Sequence, residues 1–120
     1  MIEDDEGDAH LIKEALLTNP RVKEVVIAAD GVRALQLIDA GAVRPDLAFV
    51  DLHMPRKDGL TLLDNLAQKK NASFPSVVLT SSRTKADEQR SRAHGAVGFV
   101  TKPISQAKLR KSLNREIARV

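Results

Sequence analysis

Leu47-Ala48-Phe49-Val50-Asp51 is four apolar residues closed by a carboxylate, followed by the turn Leu52-His53-Met54-Pro55-Arg56-Lys57-Asp58-Gly59. A continuous apolar run of this length is the signature of a strand buried on both faces. A carboxylate at the carboxyl end of such a strand stands where open α/β sheets place their ligands. Outward from it, three further runs each end near reactive groups. Ile2 leads into Glu3, Asp4 and Asp5; Val77-Val78-Leu79 leads into Thr80 and Ser81; Gly98-Phe99-Val100 leads into Thr101, Lys102 and Pro103. If these strands lie parallel, acids, a hydroxyl and a lysine converge on one edge of a sheet, and a functional site is expected there.

Between the apolar runs lie segments of helical period, the alternation that produces a doubly wound parallel sheet covered on both faces. The first helix is expected from about Asp8 to Thr18, stopped by Asn19-Pro20. Val25-Val26-Ile27-Ala28 reads as the second strand, closed by Asp30-Gly31. The second helix turns Ala34, Leu35 and Ile38 inward and ends at Gly41, a C′ glycine. The third helix starts after Gly59 and buries Leu60, Leu63 and Leu66; the fourth and fifth strands are Val77 to Thr80 and Val97 to Val100. In the fifth helix Leu109, Leu113, Ile117 and Val120 form one stripe and Lys108, Lys111, Arg115 and Arg119 another. Two segments depart from this regularity. From Lys85 to His94 no aliphatic residue exceeds Ala, so the fourth helix is expected to be mobile or held by a partner. The first strand has only Met1 and Ile2, too few for an internal position; it either continues upstream or is completed by another chain.

At 120 residues with 42% hydrophobic content, one domain over residues 1–120 is expected. The absence of Cys excludes disulfides, thiolate metal sites and Cys nucleophiles. No apolar run approaches membrane-spanning length and no signal-peptide pattern opens the chain, so it reads as a soluble, cytoplasmic protein without a membrane partner. The net charge of +3 hides an asymmetry, with residues 3–8 acidic and residues 102–119 basic. Aromatic content of 2%, all Phe, argues against a base-stacking surface for single-stranded nucleic acid.

Glu3, Asp4 and Asp51 would gather three carboxylates, which is unfavourable unless one is protonated or a cation sits among them. Hard oxygen ligands without His or Cys side chains favour Mg²⁺. Asp5, Glu6 and Asp8 are better read as ordinary acids of a first helical turn. Lys102 would neutralise the cluster and could hold a phosphoryl oxygen. Thr80 would offer a hydroxyl, against the plainer reading of β-propensity alone. His53 has no nucleophile pattern around it, and its backbone carbonyl, not its ring, is assigned as a metal ligand.

With these residues in order, the chain resembles the receiver domain of two-component response regulators. Glu3-Asp4 resembles the acidic pair, Asp51 the phosphoacceptor, Thr80-Ser81 the hydroxyl position and its small neighbour, Phe99 the aromatic switch position, and Lys102-Pro103 the lysine–proline pair. The opening from Glu3 to Ile12 also resembles the single-domain regulators associated with phytochrome kinases. The resemblance implies a flavodoxin-like five-stranded sheet of order 2-1-3-4-5 with its first strand truncated. It further implies a stand-alone regulator that takes a phosphoryl group onto Asp51 from a histidine kinase or phosphotransfer protein. Mg²⁺ would be held by Asp4, Asp51 and the His53 carbonyl, with Glu3 acting through water, and Lys102 and Thr80 would assist transfer. Thr80 and Phe99 would switch the face made by the fourth helix, fifth strand and fifth helix, through which a homodimer could form. His53 and Ser82 occupy positions that tune phosphoryl lifetime in this family.

Three rivals compete. A receiver-like binding module independent of phosphorylation is opposed by the presence of Asp4, Asp51, Thr80 and Lys102 together. A metal-dependent phosphohydrolase would carry a second Asp two residues after the nucleophile, where His53 stands. DNA binding through the basic fifth helix lacks any helix-turn-helix pattern, and a basic stripe more often faces solvent or protein.

Overall fold

The computed structural model describes residues 1–52, 59–68, 74–81, 84–102 and 105–119. Its helices start where short polar side chains cap them. The Asp5 carboxylate accepts from Asp8 N at 2.8 Å to open α1 (Glu6–Leu17), two residues before the expected start. Asp30 accepts from Arg33 N at 2.8 Å to open α2 (Gly31–Asp39), and Gly41, at φ 72°, takes the left-handed conformation expected just past a helix end. Strand β1 is Ala48–Val50, α3 Gly59–Gln68 and β2 Ser76–Thr80. Thr84 caps α4 (Lys85–Ala93), β3 is Gly98–Thr101, and Ser105 caps α5 (Gln106–Ala118).

The three strands pair in parallel in the order β1-β2-β3, with Val50 opposite Val78 and Val78 opposite Phe99. The expected first and second strands differ from the sequence reading. They enter as isolated parallel bridges, Ile2 to Ala28 on one side and Ile2 to Val50 on the other. The order 2-1-3-4-5 is present, with Ile2 between Ala28 and Val50 in the second position. Around Ile2, Met1 N donates to Val26 O at 2.9 Å, Ala28 N to Met1 O at 2.9 Å and Glu3 N to Ala28 O at 3.0 Å, so the 22–28 run pairs only at its end.

The core divides at the sheet. On one face Ile2, Val50 and Val78 pack with Leu62, Leu63 and Leu66 of α3. On the other, Phe49, Val77, Leu79 and Val100 pack with Ile12 and Leu16 of α1 and Leu109, Leu113 and Ile117 of α5. Leu60, expected inside, is half-buried; Leu62 takes the interior position. Val120 lies outside the described residues. The expected cationic stripe of α5 is exposed.

Candidate functional site

All the strand ends identified from sequence open on one edge of the sheet because the strands run parallel. Asp51 follows β1 and is buried; its backbone N donates to Ile2 O at 3.1 Å, which ties the end of β1 to the start of the chain. Glu3 is 2% exposed and Asp4 is exposed. Carboxylate oxygens of Glu3, Asp4 and Asp51 lie within 4.8 Å of one another, so Asp4 forms the outer lip of a cluster whose inner members are Glu3 and Asp51.

Lys102 enters this cluster from the end of β3. Its backbone N donates to Thr80 O at 2.7 Å, fixing the residue beside the end of β2. Its ammonium Nζ lies 2.7 Å from Glu3 Oε2, 3.0 Å from Asp8 Oδ2 and 3.2 Å from Asp51 Oδ2. The contacts to Asp8 and Asp51 are hydrogen bonds. At Glu3 Oε2 the ammonium supplies charge without hydrogen-bond alignment, so this buried oxygen keeps an unmet demand.

The electrostatics follow from this packing. Burial raises the Glu3 carboxyl to about 7, and the Asp51 charge adds to the rise, against the opposing pull of Lys102. Burial alone would lower the Lys102 ammonium, but Glu3, Asp8 and Asp51 outweigh it and hold the lysine charged well above its ordinary range. At the chain start, burial lowers the Met1 amine to about 6 while it donates to Val26 O at 2.9 Å.

Thr80 is fully buried at the end of β2, opposite Thr101. Phe99 is half-buried and packs on the core face shared with α3. The structure therefore brings Glu3, Asp4, Asp51 and Lys102 together, with Thr80 on the adjoining strand end. His53, Ser82 and Pro103 lie outside the described residues. Asp8 corrects the sequence reading: beyond its place in the first turn of α1, it binds Lys102. Glu116 of α5, to which the sequence assigned no role, is 6% exposed and sits against Gly98, where a Cβ would stand 2.5 Å from Glu116 Oε2.

The donor set, three carboxylates with one buried oxygen unsatisfied and no thiolate, fits a hard divalent cation.

Comparison with known proteins agrees with this geometry. The sequence profile of the response regulator receiver domain matches residues 1–114. The chain is 30% identical to the sensor histidine kinase CheAY of Helicobacter pylori, over 97% of this chain and 14% of that protein. It is 32% identical to the response regulator Rcp1 of Synechocystis sp., over 72% of this chain and 63% of that protein, and so spans under two thirds of either relative. Among solved structures, the Mn²⁺-bound form of Rcp1 superposes with a TM-score of 0.83 at 29% identity, covering 95% of this chain and 86% of that one. The phosphorylated cyanobacterial phytochrome response regulator RcpA superposes with a TM-score of 0.85 at 30% identity, covering 96% and 86%. A parallel sheet whose strand ends present acids, a hydroxyl and a lysine in this order, matched along nearly its whole length, places the chain in the response regulator receiver domain family, a family of signalling domains.

Proposed function

We propose that the chain is a stand-alone, single-domain receiver that accepts a phosphoryl group on Asp51 from the phosphohistidine of a kinase or phosphotransfer protein. The observation that carries this reading is Lys102 Nζ, fixed 3.2 Å from Asp51 Oδ2 and 2.7 Å from Glu3 Oε2 at the ends of parallel strands. An Asp51 oxygen attacks phosphorus, the P–N bond of the donor breaks, and the imidazole leaves with a proton, giving an acyl phosphate on Asp51. Lys102 shields the approaching phosphoryl oxygens from the Glu3 and Asp51 charges, and Thr80 offers its hydroxyl from the adjoining strand. Asp4, Asp51 and the His53 carbonyl would hold Mg²⁺, with Glu3 acting through water. When bound, the cation would neutralise charge on the transferring group. The relative Rcp1 has been solved with Mn²⁺, which favours a divalent site in this chain too.

Phosphorylation would bias Thr80 and Phe99. These residues stand on neighbouring strands, where Val78 pairs with Phe99 and Thr80 with Thr101. Their shift would alter the face formed by α4, β3 and α5, a change of population between two packings. That face is also the proposed homodimer surface, and DNA binding forms no part of the reading.

The test is intact mass after incubation with acetyl phosphate and Mg²⁺. A gain of about 80 Da in the wild type, absent in Asp51→Asn, is expected from an aspartyl phosphate. A folded wild-type chain that gains nothing would support a phosphorylation-independent binding module instead.

A further inference from the structure

The ammonium of Lys102 has three donors, and three carboxylate oxygens pack around it: Glu3 Oε2 at 2.7 Å, Asp8 Oδ2 at 3.0 Å and Asp51 Oδ2 at 3.2 Å. A further oxygen, such as one on a phosphoryl group at Asp51, joins this set only by displacing a member. The three members are not equally held. Glu3 and Asp51 are buried, where an abandoned carboxylate is costly. The Asp8 side chain is 45% exposed, so a carboxylate released there is taken up by water.

Local structure lets Asp8 release the lysine without loss of its helix. Its backbone N donates to the Asp5 carboxylate at 2.8 Å, and that cap, not the Asp8 side chain, holds the first turn of α1. Beside it lies a hollow of about 60 Å³ lined by Asp8, Leu11, Lys102, Ser105 and Gln106. Ser105 caps α5 there, and the start of a helix favours negative charge, so the displaced carboxylate has a place to turn to. Gln106 Nε2 donates to Leu11 O at 3.1 Å, which keeps α1 and α5 joined while it turns.

We propose that Asp8 is the exchangeable partner of Lys102, a positioning residue that holds the ammonium at rest and yields it to a phosphoryl oxygen on Asp51. The inference rests on Asp51 being the phosphoacceptor. At rest Asp8 restrains the flexible four-carbon stem of the lysine. During transfer it competes with the incoming group for the same N–H, and so acts as a brake on phosphorylation.

The test follows labelling of Asp51 by acetyl phosphate, in which the Asp51 oxygen bonds phosphorus and acetate leaves. Intact mass gives the rate for wild type, Asp8→Asn, Lys102→Ala and the double variant. Asp8→Asn keeps the shape of the side chain and removes its charge. It should label about threefold faster, the size expected of a half-exposed ion pair. In the Lys102→Ala background the same substitution should change the rate by less than ~1.5-fold, because no ammonium is left to exchange. In the wild type, the carboxyl carbon resonance of Asp8 should move on labelling toward its position in Lys102→Ala. A resonance that stays in place while the wild type labels would overturn the proposal, since Lys102 then gives up another oxygen. So would slower labelling of Asp8→Asn, which would make Asp8 a fixed anchor. Equal acceleration in both backgrounds would also overturn it, in favour of a plain charge at the rim. A wild type that labels at the same rate as Asp8→Asn overturns the exchange alone. A folded wild type that never labels overturns the Asp51 reading and the exchange with it.

Discussion

Lys102 is one cation set among three carboxylates, within 3.2 Å of an oxygen of each. Its side chain is 16% exposed and that of Glu3 is 1%, so water screens the pair poorly. Removing one partner of a buried pair leaves the other charge without compensation, which typically costs about 3 kcal/mol. Lys102→Ala should therefore lower Tm by ~10 °C in EDTA. Millimolar Mg²⁺ should restore more stability to this variant than to the wild type, because a cation would then take the place the ammonium held. Thermal melts with and without Mg²⁺ decide the matter, and an equal Mg²⁺ increment in both proteins would contradict it. Gly59 acts on the same site through the backbone. A Cβ there would collide with the Asp51 carbonyl oxygen and stand 2.7 Å from Leu52 Cα, both main-chain atoms that cannot rotate away. Gly59→Ala should destabilise by about 2 kcal/mol, and should slow acetyl phosphate labelling of Asp51 by displacing its backbone. Unchanged stability and labelling would show that the turn yields.

At the scale of elements, α4 is held by polar groups instead of an apolar stripe. Its buried residues are Asp87 and Ser91, with Ser91 Oγ donating to Asp87 O at 2.7 Å. Asp87 pairs with Arg90, and Asp87 N donates to the capping Thr84 Oγ1 at 3.2 Å. With so little apolar burial, its cap forms a large part of what keeps it helical. Thr84→Ala should cost about 1 kcal/mol, and amide exchange within α4 should rise about fivefold, leaving α5 unchanged. A uniform rise across both helices would mean that α4 opens only with the whole domain. The polar character of α4 was legible in the sequence, as were the three strands of the ladder, because doubly buried strands appear as unbroken apolar runs. The site residues Glu3, Asp4, Asp51 and Lys102 were legible because each follows such a run. Helix faces were less so: Leu60 and Leu62 differ by about 200° around the axis, and only packing against β1 and β2 chose Leu62. The burial of Glu116 was not legible, since it depends on the missing side chain of Gly98 on a distant strand.

Across the whole molecule, the sheet is joined unequally. The β1-β2-β3 ladder has several paired residues at each seam, whereas the 22–28 run is joined at the one bridge of Ile2 to Ala28, with Met1 N donating to Val26 O, Ala28 N to Met1 O and Glu3 N to Ala28 O around it. Period and composition marked residues 25–28 as a strand, but a strand exists only to the extent that its neighbour can pair, and Met1 and Ile2 supply one bridge. The chain should therefore open in two steps. The 22–28 run with α2 should exchange through a sub-global opening, while β1, β2 and the buried face of α5 exchange only through global unfolding. In native-state hydrogen exchange under increasing urea, amides in the first group should show a smaller dependence on denaturant than those in the second, because less surface is exposed. Ile2→Ala, which removes a buried side chain from the residue that bridges both Ala28 and Val50, should destabilise the whole chain by ~3 kcal/mol. It should also lower the opening free energy of the 22–28 group, since the same side chain closes that seam. If both groups instead merge into one isotherm in the wild type, the single bridge at Ile2 transmits cooperativity as fully as a ladder, and the division inferred from pairing is wrong.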